Sequence, residues 1–151
     1  MCCMVRYACM QTIGPTAMVT IVSDAQPIRV LLVEDEYLIS EMVAESLVQQ
    51  GFAVRAVSNG ADALRYLASA PVDVLFTDIN LAGNMDGTTL ARRARELLPD
   101  LPVVYASGRV DMLDCTVRVP GSIFVAKPYA PAIVGPLLTR SLKATAARAP
   151  A

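Results

Sequence analysis

The residues of this chain best suited to chemistry stand at the ends of apolar, strand-type runs. Glu34-Asp35 follows "IRVLLV" (28–33) and Asp78 follows "VDVLFT" (72–77). Ser107 closes "LPVVYAS" (101–107), and Lys127 closes "GSIFVAK" (121–127). Each has a plain reading when taken alone. An Asp after a strand is a turn or cap, Glu34-Asp35 is favourable charge at a helix N-terminus, Ser107-Gly108 forms a turn, and Lys127 is a solvated charge. Gathered on one rim they would be carboxylates, a hydroxyl and an ammonium. Clustered carboxylates repel one another unless a cation joins them, and Mg2+ suits a few carboxylates with water and a phosphate oxygen. Lys127 supplies a point charge for a phosphoryl group, and Ser107 a hydrogen bond to it. Carboxylate, metal and lysine together describe phosphoryl transfer to an aspartate.

That chemistry needs a fold that brings the strand ends together, and the chain alternates in the required way. Between the apolar runs lie "EYLISEMVAESLVQQ" (36–50), with Leu38, Ile39, Met42, Val43 and Leu47 at helical spacing and Gly51 as a stop. "FAVRAV" (52–57) is a further strand. "SNGADALRYLAS" (58–69) has a Ser-Asn cap signal and places Ala61, Leu64 and Leu67 on one face. "TTLARRARELL" (88–98) separates Leu90, Ala94 and Leu97 from Arg92, Arg93 and Arg95. The segment 108–120 supports only a short, weak helix, and 130–142 has helical spacing interrupted by Gly135-Pro136. Strands alternating with helices predict an α/β sandwich on a parallel sheet, whose ligands bind at the carboxyl ends of the strands.

Composition narrows the function further. The chain has 151 residues, 54% hydrophobic and 18% charged, which is enough for one domain with a real core. No stretch reaches the ~18–20 unbroken apolar residues of a spanning helix; residues 7–23 come nearest but contain Gln11, Thr12, Gly14-Pro15 and Thr16. A net charge of −1 gives no electrostatic reason for nucleic-acid binding. There is no histidine, so Ser-His and Cys-His pairs, histidine metal sites and a histidine phosphocarrier on this chain are excluded. Cys2, Cys3, Cys9 and Cys115 form no C-x-x-C pair and read as reduced thiols of a cytoplasmic protein. "RYAC" (6–9) lacks the basic and apolar stretches that a lipoprotein leader needs. Residues 1–27 read as an extension outside the fold, with Met1 or Met18 as the start; 28–142 is the domain and 143–151 a short tail.

Four motifs in register, "VLLVEDE", "FTDINL…MDG", "VVYASG" and "FVAKPY", resemble the receiver domain of two-component response regulators over about 28–142. The resemblance implies a flavodoxin-like five-stranded parallel sheet, order 2-1-3-4-5, with helices on both faces. It implies that Asp78 is the phosphoacceptor and also a Mg2+ ligand, Asp35 a direct Mg2+ ligand, Glu34 an outer acid acting through water, and the Asn80 carbonyl a third protein ligand. Ser107 matches the switch hydroxyl and Lys127 the phosphoryl-binding lysine, followed by Pro128 and typically a cis peptide. Phe124 matches the rotameric switch aromatic, while Asn80 and Arg109 match positions that tune phosphate lifetime. The implied partners are a sensor histidine kinase or histidine phosphotransfer protein and an unidentified downstream protein, with no nucleic acid and no membrane. The implied role is a phosphoacceptor that slowly dephosphorylates itself and is not otherwise an enzyme. With no output domain in sight after the last helix, a stand-alone, single-domain receiver is expected.

The sequence also departs from that pattern. The loop from Asp78 to Asp86-Gly87 is one residue longer than the commonest spacing and has Ala82-Gly83 where Met-Pro is frequent. The fourth helix is expected to be short or mobile and the fifth atypical. Gly135-Pro136 would kink that last helix or start it at a first-turn proline, and so give a non-standard partner surface. Two other functions compete. An aspartate-nucleophile phosphatase of the haloacid dehalogenase type needs a second Asp two residues after the first, where this chain has Asn80. A degenerate receiver serving as a scaffold sits poorly with a complete acceptor set.

Overall fold

The computed structural model describes residues 25–109 and 117–149. Strand β1 (Arg29–Val33) leads to helix α1 (Tyr37–Gln49), then β2 (Ala53–Val57), α2 (Gly60–Ser69), β3 (Val74–Asp78) and α3 (Gly87–Leu97). After these come β4 (Val103–Ser107), β5 (Ile123–Ala126), a 3-10 turn at Pro131–Ile133 and α4 (Val134–Arg148). The five strands are all parallel and lie in the order β2-β1-β3-β4-β5, as expected.

The central strands are apolar on both faces because both faces are covered. Leu31, Val33, Leu75, Val103 and Tyr105 pack under α2 and α3 against Ala63, Leu67, Leu90, Ala91 and Ala94. Val30, Leu32, Val74, Phe76, Val104 and Ala106 pack under α1 and α4 against Val43, Leu47, Val134 and Leu138. The register pairs Val33 with Thr77 and Asp78 with Ala106, so β1, β3 and β4 finish side by side.

Several helix faces differ from the sequence reading. In α1 the buried residues are Ser40, Val43 and Leu47, whereas Leu38 is 69% and Met42 57% exposed. In α2 the core takes Ala63 in place of Ala61, and in α3 it takes Ala91 while Leu97 is left at the surface. The last helix begins at Val134, two residues before Pro136. Pro136 lies in its first turn, where backbone N–H groups have no intrahelical acceptor to lose. A Cβ at Gly135 would displace the end of the Gln50 side chain and press on the Phe52 ring. The same helix runs to Arg148, so residues 143–148 are not a tail; their alanines propagate the helix with little entropic cost. Most of the expected fourth helix (110–116), the four cysteines and Met18 lie outside the described residues.

Candidate functional site

The carboxyl ends of β1, β3, β4 and β5 form one rim, and the polar residues gathered there do not share one environment. Glu34 and Asp78 are buried, at 3% and 5% exposure, whereas Asp35 is open to solvent. Carboxylate oxygens of all three come within 4.8 Å of one another. The Lys127 ammonium sits between the two buried acids, 2.8 Å from Glu34 Oε2 and 2.6 Å from Asp78 Oδ2. Lys127 reaches this position because its N–H donates to the Ser107 carbonyl, which continues the β4–β5 ladder past β5. The Lys127–Pro128 peptide is cis, as the resemblance implies.

Backbone amides complete the cradle. The Glu36 N–H donates to Glu34 Oε1 at 3.2 Å, the Asn80 N–H to Asp78 Oδ1 at 2.9 Å, and the Ala82 N–H to Asp35 Oδ2 at 3.1 Å. Burial pushes the Glu34 carboxyl above its ordinary range, against the pull of the Lys127 hydrogen bond. Burial would lower the Lys127 pKa, but its bonds to Asp78 and Glu34 outweigh that and raise it, so the lysine stays charged.

Ser107 is fully buried, and its hydroxyl oxygen accepts from the Asn80 side-chain amide at 3.3 Å and from the Arg109 N–H at 3.1 Å. Asn80 thus touches both the Asp78 carboxylate, through its backbone, and Ser107, through its side chain. Phe124 is half-buried on the α2–α3 side, with the Arg118 guanidinium 5.9 Å from its ring centre. Glu34, Asp35, Asp78, Asn80, Ser107 and Lys127 are therefore brought together, while Phe124 packs against the α2–α3 core and Arg109 contributes its backbone.

Three contributors were not read from the sequence. The amides of Glu36 and Ala82 have no residue-type signature, because any non-proline residue supplies an N–H. Gly87 was visible only as part of a motif; its role is steric, since a Cβ there would overlap the Asp78 carbonyl. Its N–H donates to the Ile79 carbonyl at 2.8 Å and closes the loop after β3.

An oxygen-only set of three carboxylates fits a hard divalent cation, and the buried lysine beside it fits an anionic group. The response regulator receiver protein CpdR of Brucella abortus is 39% identical over 80 residues, which are 53% of this chain and 66% of CpdR. The transcriptional regulatory protein BaeR of Escherichia coli is 30% identical over 105 residues, 68% of this chain and 43% of BaeR. The chain thus spans less than two thirds of either relative. The crystal structure of a response regulator receiver protein from Sinorhizobium medicae superposes with a TM-score of 0.75 at 35% identity, covering 80% of this chain and 98% of that one. The family model of the response regulator receiver domain matches residues 30–134, and on that match this chain belongs to the receiver-domain family.

Proposed function

We propose that this receiver takes a phosphoryl group from a phosphohistidine donor onto Asp78, in a cytoplasmic two-component relay. The observation that carries this reading is the Lys127 ammonium bound to both buried carboxylates, with Asp35 beside them. In the transfer, an Asp78 carboxylate oxygen forms the new O–P bond while the N–P bond of the donor breaks. The electron pair of that bond stays on the departing imidazole. Lys127 holds negative charge at the reacting group, and Ser107 gives up its Asn80 and Arg109 hydrogen bonds to reach the transferred phosphoryl oxygens. Asp35, exposed and held by the Ala82 amide, would hold Mg2+ directly together with Asp78 and the Asn80 carbonyl. Glu34, with both oxygens already engaged, acts through water. Mg2+, when bound, supplies charge neutralisation of the phosphoryl oxygens. Asn80 and Arg109 flank the reacting carboxylate and tune the lifetime of the aspartyl phosphate; Phe124 reports the state of Ser107 to the surface.

The donor is a sensor histidine kinase or a histidine phosphotransfer protein. Its approach is favoured by the apolar residues left open beside the site, with Tyr37 and Leu38 exposed on α1 and Met42 next to Lys127, Pro128 and Tyr129. The test is intact mass after incubation with Mg2+ and phosphoramidate. Wild type gains one phosphoryl mass that base removes, and Asp78→Asn gains none; an unmodified wild type would sink the reading.

A further inference from the structure

The loop between β3 and α3 is held at both ends and delivers one group to the site. At its base the Gly87 N–H is bonded to the Ile79 carbonyl, and Leu81 is buried in the core under α2 and α3. At its far side Met85 packs against the same core and lies on the bare backbone of Gly60, the first residue of α2. A Cβ on Gly60 would stand 2.8 Å from Met85 Sδ, 3.1 Å from Cγ and 3.3 Å from Cβ, so the whole side chain would have to move. Between the two anchors lie only Ala82, Gly83 and Asn84, with Gly83 in the left-handed region at φ +103°. This short exposed arch points the Ala82 N–H at Asp35 Oδ2.

Asp35 is the one acid of the cluster that is open to solvent, and neither Lys127 nor a neighbouring amide of its own loop is bonded to it in the way they hold Glu34. An exposed carboxylate without such a bond spreads over several rotamers. The Ala82 N–H fixes one oxygen of an Asp35 carboxylate that lies within 4.8 Å of carboxylate oxygens of Glu34 and Asp78. We infer that Gly60 and Met85 are positioning residues for the cation site: their contact sets the height of the loop, and through the Ala82 amide it orients Asp35 before any metal arrives. The inference rests on the reading of the acidic cluster as a divalent-cation site. It extends that reading to two residues on the far side of the loop that touch no acid.

The test uses the unphosphorylated protein and Mn2+ alone, with free ion read by its electron paramagnetic resonance signal. Gly60→Ala, and separately Met85→Ala, weaken Mn2+ binding about three- to tenfold, the net worth of the one hydrogen bond through which they act. The double variant binds like Met85→Ala alone, because the added methyl then has nothing to push; this non-additivity is what a general loss of stability would not produce. Circular dichroism establishes that each variant is folded, and Met85→Ala keeps the test open if Gly60→Ala is not. Single variants that bind Mn2+ as wild type does, or losses that simply add, overturn the positioning role. If wild type itself binds no better than Asp35→Asn, the cation reading fails first, and that result is distinct from the other two.

Discussion

Replacing Lys127 by methionine tests how the buried acids are held. The substitution keeps most of the side-chain volume and removes the only ammonium among the described residues bonded to Glu34 and Asp78. Removing one partner of a buried pair costs about 3–5 kcal/mol, because the remaining charge stays desolvated. Lys127 retains a 19% exposed side chain, and each acid keeps one backbone amide, so the low end applies. A loss of about 3 kcal/mol corresponds to a fall of roughly 10 °C in the unfolding midpoint for a domain of this size. The chain has no tryptophan, so urea unfolding followed by far-UV circular dichroism is the natural assay. Two dependences separate charge from packing. Burial already holds the Glu34 pKa above its ordinary 4.5, and loss of Lys127 raises it further. A carboxyl with a raised folded-state pKa favours the fold when protonated. The deficit of Lys127→Met is therefore full above that raised pKa and narrows as pH falls through it toward 4.5. Added Mg2+ also stabilises the variant more than it does wild type, since the cluster then lacks its internal cation. A variant as stable as wild type at neutral pH, or a deficit indifferent to both pH and Mg2+, would refute the electrostatic account.

Two further substitutions probe single contacts. Gly87→Ala places a methyl against the Asp78 carbonyl, a backbone atom that cannot yield, and is expected to cost about 3 kcal/mol or more in urea unfolding; a loss under about 1 kcal/mol would mean that the loop closes in another way. Tyr129→Phe removes a buried hydroxyl that has no hydrogen-bond partner among the described residues and whose pKa burial pushes up to about 12. Its expected effect runs from neutral to a gain of about 1 kcal/mol, and a clear loss of stability would show that the hydroxyl is satisfied in solution.

What could be read from the sequence follows from how strongly burial constrains each residue. The central strands are covered on both faces, so Val30–Val33, Val74–Phe76 and Val103–Ala106 had to be apolar, and the polar residue after each run marked its end. That fixed the rim and most of the site. Helix faces were less legible because α1 carries two apolar stripes. Leu38 and Met42 form one, Ile39, Val43 and Leu47 the other, and only the position of the sheet decides which is buried. The alanines after 142 looked like a tail because they have no apolar contrast to give a period, yet they are strong helix formers. Inside the site, what stayed hidden is what the residue type does not encode: the amides of Glu36, Asn80 and Ala82, and the space reserved at Gly60 and Gly87.

The adjacent acids Glu34 and Asp35 are the point where sequence and structure diverge most usefully. As letters they are nearly equivalent; in the fold one is buried and bound to a lysine, and the other is exposed and bound to a loop amide. Counting ionised groups, Glu34 and Asp78 against Lys127 leave one negative charge, and Asp35 adds a second. A divalent cation balances that remainder, whereas a monovalent one does not. Converting the Asp78 carboxylate to an acyl phosphate adds further negative charge at the same spot. Lys127 cannot then serve Glu34 and the phosphoryl group equally, since its present geometry divides it between two carboxylates at 2.8 and 2.6 Å. If Asp78 is loaded as proposed, the ammonium would shift toward the phosphoryl oxygens, and Glu34, losing that bond, would need a proton or water in its place. On the proposed function, loading of Asp78 and the state of Glu34 would be coupled through one side chain, which is why Lys127→Met, read against pH and Mg2+ together, discriminates more than any substitution of the acids alone.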